Sequence, residues 1–240
     1  MLYVELSLLA SNYDAKEIFD QEIYKPLNSA FVNEVVGNGL IKNKKFDEAL
    51  DFFNKALEIH PKSPSALNNR GLIFLSQDKL PEALSDLNRA LQLFPQNDTT
   101  LSLRGEVLLK MHKRIDALLD FNAALKLNPK NIKALLYRGL NALDQNELPA
   151  ALADFNEVIE IYPYNYSFLT TRGEIYLKMG NFDQAVAHFD AALRINPEYA
   201  VARRWKAQIS HPIEMRMNAP SGEAMRSSAE SAAAAAKEVL

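Results

Sequence analysis

A single interval governs this chain. Gly37, Gly71, Gly105, Gly139 and Gly173 stand 34 residues apart, and they are five of its eight glycines. Pro61, Pro95, Pro129, Pro163 and Pro197 keep the same spacing. Between them Ala49, Ala83, Ala117, Ala151 and Ala185 recur in register, followed four residues later by Phe53, Leu87, Phe121, Phe155 and Phe189. Ala56, Ala90, Ala124, Val158 and Ala192 complete the pattern three residues further on. A fixed period of this length is the mark of a repeat architecture, in which each unit is one supersecondary element that buries its apolar face only against its neighbours. No insertion breaks the interval between about residue 30 and residue 199.

Within each period the apolar residues fall at spacings of three and four, which makes two amphipathic helices. Pro81 and Pro149 fit the first turn of the second helix, where a missing N–H costs nothing. The expected fold class is therefore all-α, a solenoid of antiparallel helix pairs. The expected units are 30–63, 64–97, 98–131, 132–165 and 166–199. Ala15 and Phe19 lie one period before Ala49 and Phe53, so residues 1–29 read as a degenerate helical hairpin that caps the first unit. Residues 200–210 offer one capping helix, with Trp205 toward the last unit. Residues 211–240 are rich in Ala and Ser, and read as a marginal helix or a disordered tail. Their methionines leave three readings open: a solvated tail, a tail folded back into the groove along the first helices, or one docked on a second copy.

The spacing and the small residues resemble the tetratricopeptide repeat (TPR) family. In that pattern the small residue at position 8 and those at 20 and 27 let the two helices approach, and the aromatic at 24 fills the space between repeats. The resemblance implies a right-handed superhelix. This chain departs from it at position 4, with Asn33 and then Leu67, Leu101, Leu135 and Leu169, and at position 11, where Ala142 replaces a large residue.

Chemistry is sparse. There are no cysteines, and His60, His112, His188 and His211 never adopt a metal-ligand spacing. Gly37-Asn38-Gly39 starts like a dinucleotide loop, but Lys42 takes the third glycine position and no strand precedes it. Paired carboxylates such as Asp47 and Glu48 fall in a helix's first turn, where they suit the dipole. The expectation is a protein without catalytic residues, cofactor or metal. A net charge of -3 argues against nucleic acid or an anionic membrane as the main partner. No apolar run reaches membrane-spanning length, and Glu5 together with the absence of early Lys or Arg argues against a secretory signal. A cytoplasmic location follows as the expectation.

A recurring arginine needs an explanation. Arg70, Arg104, Arg138 and Arg172 occupy position 7, while Asp86, Asp120 and Asp154 recur at position 23. The first unit has Val36 and Phe52 at these places, losing both charges together, and the fifth has His188 in place of the aspartate. This pattern points to a structural ion-pair ladder, within a repeat or between neighbours, with an anion-binding stripe as the other reading.

By resemblance to the family, function lies on the groove lined by the first helices, at positions 2, 5, 6, 9, 12 and 13. The candidate groove residues are Asn38, Asn69, Leu103, Glu106, Leu109, Lys133, Leu136, Tyr137, Leu140, Leu143, Thr170 and Glu174. Asn38 and Asn69 match two positions of the carboxylate clamp that holds chaperone tails in some relatives. Glu34 stands where that clamp needs a lysine, and Thr99 and Leu103 replace its other basic residues, so a terminal carboxylate is disfavoured. Leu103, Leu109, Leu136, Tyr137, Leu140 and Leu143 would form an apolar patch, unless neighbouring helices bury it. A mixed-sign rim would suit a peptide or short amphipathic helix from another protein. Such a chain is a protein-interaction scaffold or adaptor. The alternatives are a secretion or assembly chaperone and a structural subunit that uses its convex face or ends. Homo-oligomerisation through the ends or tail is compatible with each.

Overall fold

The computed structural model describes residues 29–210 and Ala234. The expected N-terminal hairpin and C-terminal tail therefore lie outside the described residues. Among the described residues eleven helices follow one another: α1 (Ala30–Lys42), α2 (Phe46–Ile59), α3 (Pro64–Ser76), α4 (Leu80–Leu93), α5 (Asp98–Lys110), α6 (Arg114–Leu127), α7 (Ile132–Asp144), α8 (Leu148–Ile161), α9 (Tyr166–Lys178), α10 (Phe182–Ile195) and α11 (Ala200–Ser210). No strand occurs among the described residues. None of these helices is long and apolar enough to cross a membrane.

Each repeat starts and turns by the same local devices. Ser29, Ser63, Asn97, Asn131 and Asn165 cap the first helices, each side-chain oxygen accepting from the amide three residues on, as from Ala134 at 2.9 Å. That contact satisfies one of the amides a helix start leaves without a partner. The first helices then end in a left-handed residue: Lys44, Asp78, His112, Asn146 or Gly180. After α1 the amide of Lys45 reaches Leu40 O at 2.9 Å and that of Lys44 reaches Ile41 O at 2.9 Å, a Schellman closure. Only the fifth turn uses glycine, at φ 78°, so four turns hold an ordinary side chain in a conformation that glycine adopts freely.

The described residues divide into two compact units between Ala123 and Ala124, inside α6. In the first, α1 packs on α2, α3 on α4, and each second helix on the next first helix. One core cluster joins Val36, Leu40, Phe53, Leu67 and Ile73, and a second joins Leu87, Leu103 and Val107. In the second unit α7 packs on α8, α9 on α10 and α10 on α11. Leu136, Phe155, Phe168 and Ile175 form its centre. Trp205 and Ile209 of α11 close on Ala185 and Phe189 of α10. The position-8 glycine serves close approach: a Cβ on Gly105 would stand 2.5 Å from the Phe121 ring, and one on Gly173 2.6 Å from that of Phe189. The fully buried aromatic thus lies against the glycine of its own repeat.

Candidate functional site

The first-helix face of the first unit carries a chain of side-chain amides. Asn69 Nδ2 donates to Asn38 Oδ1 at 2.7 Å, and Asn68 Nδ2 donates to Asn69 Oδ1 at 3.2 Å. Thr100 Oγ1 donates to Asn68 Oδ1 at 2.9 Å, so the chain crosses three successive first helices. Beside it opens a pocket of about 300 Å³, lined by Val35, Asn38, Gly39, Ile41, Lys42, Asn69 and Leu72. Lys42 is exposed, whereas Asn38, Asn69 and Leu72 are half-buried. Glu34, the residue at odds with a carboxylate clamp, accepts from Ser63 Oγ at 2.6 Å and from Ser65 Oγ. Two hydroxyls of the next helix start therefore engage its carboxylate.

The other expected groove residues divide by burial. Leu109 is half-buried, as are Lys133, Tyr137 and Leu140 of α7. The Lys133 ammonium sits 5.5 Å from the Tyr137 ring centroid, a cation–π contact on the surface of the second unit. Leu103, Leu136 and Leu143 are 3%, 0% and 6% exposed and belong to the cores of their units. Glu106, Thr170 and Glu174 are buried too. Thr170 turns its hydroxyl onto Tyr166 O at 2.8 Å, which commits it to its own helix. The physical reason is that a first helix touches the next first helix as well as its own partner, as α1 touches α3 and α9 touches α11. Positions that would be open on a lone hairpin are covered in a stack, so the expected apolar patch loses three of its leucines.

The arginines resolve into a ladder closed within each repeat. Arg70 Nε and Nη2 donate to the two oxygens of Asp86 at 2.6 and 2.9 Å. Arg104 grips Asp120 at 2.7 Å through both nitrogens, and Arg138 grips Asp154 at 2.9 and 2.6 Å. The remaining Nη1 reaches back to the preceding repeat, from Arg70 to Asn54 and from Arg104 to Asn88, both at 2.9 Å. Bidentate hydrogen bonds to the aspartate hold the Arg104 and Arg138 guanidiniums above their ordinary pKa, despite partial burial. Neighbouring repeats are thus stitched by one residue type that closes its own hairpin and holds the one before.

The fifth repeat is built differently. Arg172 Nη2 meets His188 Nδ1 at 3.4 Å, and Nη1 donates to Asn156 at 3.2 Å. Its Nε is buried without an acceptor. Burial lowers the Arg172 pKa, a loss that Tyr176 offsets in part. The His188 ring stacks on Tyr176, with centroids 5.2 Å apart and planes 15° apart. Burial first, and the neighbouring guanidinium second, push the imidazole down to about 4. Beyond it, Lys206 of α11 donates to Asp190 at 2.6 Å, sixteen residues apart like every other link in the ladder.

One surface feature escaped the sequence reading. Ile115 and Leu119 on α6 are 77% and 64% exposed. Other repeats place Asp47, Pro81, Pro149 or Asp183 at the first of these positions, so the signal was legible as a departure from the repeat. Among the described residues no cluster of acidic or histidine side chains could hold a metal ion.

Comparison with known proteins agrees with this architecture. Tetratricopeptide repeat models match residues 64–97 and 166–199 in one form and 103–166 in another. A protein prenyltransferase alpha subunit repeat model matches residues 46–77, a stretch that holds α2 and α3. No curated protein matches significantly. Among solved structures, YrrB, described as a TPR protein with an unusual peptide-binding site, is similar at 23% identity and TM-score 0.60, covering 80% of this chain and 97% of that one. A thermophilic TPR protein of Thermus thermophilus is 22% identical at TM-score 0.59, over 75% of this chain and 98% of its own. A tetratricopeptide repeat protein of Parabacteroides merdae is 20% identical at TM-score 0.61, over 96% and 98%. At these identities the likeness is one of fold.

Proposed function

The chain belongs to the tetratricopeptide repeat family, whose models match more than half of its residues, and from that premise we propose that it is a non-catalytic scaffold holding a segment of another protein on its first-helix face. The working surface in this reading starts in the first unit. The observation that carries it is the amide-lined pocket between α1 and α3, with Asn38 and Asn69 at its wall and Val35 and Leu72 beside them. Side-chain amides offer both donors and acceptors, so they suit a peptide backbone, and the aliphatic lining suits a side-chain anchor. Lys42 at the rim favours an acidic group at one end of the ligand. A solenoid already held by the arginine ladder spends little conformational entropy on binding.

A second reading has its own observation. The exposed Ile115 and Leu119 on α6 are the kind of surface a structural subunit turns toward its assembly. One experiment separates the two. Proteins that co-purify with the wild-type chain from native extract are compared with those of Asn69→Ala/Leu72→Asp and of Ile115→Asp/Leu119→Asp, after circular dichroism shows equal helicity. Groove binding predicts that the first variant loses its partners, with affinity down about tenfold or more, while the second keeps them. The reverse pattern would put the working surface on α6 and end the groove reading.

A further inference from the structure

Three arginine forks of the ladder close on a carboxylate, and the fourth closes on an imidazole. That exchange alters what acid does to the contact. A neutral imidazole can accept the Arg172 Nη2 proton on Nδ1, but a protonated one is a donor on both nitrogens and carries a charge of the same sign as the guanidinium. The Arg172 Nε beside it is already buried without an acceptor, so no slack remains to absorb a second cation. From α9 the groups that face His188 are Arg172 and Tyr176. From α11 the charged groups at this end are Lys206, held by Asp190 at 2.6 Å, Arg203, held by Glu198 at 2.6 Å, and the exposed Arg204. Both carboxylates are thereby engaged. The helix α11 packs on α10 and also touches α9, whose Tyr176 and Leu177 lie against the Trp205 cluster, so a separation of α10 from α9 disturbs the surroundings of Trp205.

We infer that the Arg172–His188 contact is an acid-sensitive latch: a proton on His188 separates α10 from α9 and frees the last hairpin together with α11, while the carboxylate-closed repeats stay folded. The imidazole of the closed form titrates at about 4, against 6.5 for a free histidine, with burial as the larger cause and Arg172 as the smaller. Between these values the opened form takes up a proton that the closed form refuses. The latch is thus at full strength above about 6.5 and weakens as the pH falls toward 4. The opening constant of the last hairpin rises by at most about tenfold per pH unit across that window.

The chain carries its own reporter. Trp205, its single tryptophan, is 6% exposed in the α10–α11 cluster. Tryptophan emission and far-ultraviolet ellipticity are followed on the full chain from neutral pH to about 4, for wild type, His188→Gln and His188→Asp. The latch predicts a progressive red shift of emission in the wild type with most helicity retained, and no such shift in either variant, since neither carries an imidazole at position 188 to protonate. A wild-type emission that stays constant, or variants that follow the wild-type curve, would overturn it. Either variant suffices, so a folding failure of one leaves the test intact.

Discussion

In the third repeat the Arg104 guanidinium is filled on both edges: Asp120 takes Nε and Nη2 at 2.7 Å, and Asn88 takes Nη1 at 2.9 Å. In the fifth, at the same register, Arg172 holds an imidazole nitrogen at 3.4 Å and an amide at 3.2 Å, with Nε left over. The helices around the two forks have equal lengths, thirteen and fourteen residues, and the same Gly–Phe contact beneath them. One letter at position 23 therefore separates a permanent closure from a conditional one. In a repeat protein, stability is roughly a sum over units and interfaces, so a weak unit at one end opens without dissolving the rest.

The largest effect should come from breaking the strong case. Asp120→Ala strands a guanidinium that is only 26% exposed and removes a carboxylate that is 7% exposed. Loss of one member of such a pair costs about 3 kcal/mol, near the low end of the usual range because Arg104 keeps some contact with water. Thermal denaturation by circular dichroism checks it. Asp120→His sharpens the comparison, because it gives the third repeat the pairing of the fifth. Its cost should be smaller than that of alanine at neutral pH and should grow as the pH falls.

A smaller effect tests what the two repeats share. The Cβ of Gly105→Ala would stand 2.5 Å from Phe121 Cε1, closer than packed atoms tolerate, and a ring at 0% exposure has nowhere to go. Overpacking of this kind costs roughly 1–3 kcal/mol. At Gly139 the nearest atoms are Asp154 Cβ at 3.0 Å and the Phe155 ring at 3.1 Å, so the same substitution there should cost less. Equal losses at both sites in chemical denaturation would show that the glycine matters for the helix backbone and not for the aromatic beneath it.

How much of this was legible beforehand depends on what set each feature. The five glycines, the alanines and the aromatics were readable because their roles are local to one hairpin and recur at a fixed interval. The ladder was readable as a correlation, since Val36 and Phe52 lose both charges at once, but only coordinates show the closure within one repeat and the added reach to Asn54 or Asn88. The groove was the least legible part. Leu136 and Leu143 fall on the expected face of α7 by register, yet both are buried in a core cluster that also holds residues of α8 and α9. That burial depends on stacking geometry, which no residue pattern within a single repeat encodes. Asn38 and Asn69 fell on family groove positions, but their hydrogen bond to each other and their link to Asn68 and Thr100 appear only in space.

The smallest effect lies one step beyond the weak unit. Asp190 replaces the asparagine that receives Nη1 in earlier repeats, and Lys206 replaces the arginine sixteen residues on, so the last link of the ladder is a plain ion pair at 2.6 Å. Both side chains are more than 40% exposed, which leaves them well hydrated when apart. An exposed pair of this kind contributes about 0.5 kcal/mol or less, and salt screens it. Lys206→Ala should therefore shift the melting of the α10–α11 end only slightly, and the shift should vanish at high ionic strength, whereas the loss in Asp120→Ala should persist there. A large, salt-resistant loss in Lys206→Ala would mean that the α11 lysine anchors the end of the stack as an arginine does inside it, and that the weakness of the fifth repeat resides in the Arg172–His188 contact alone.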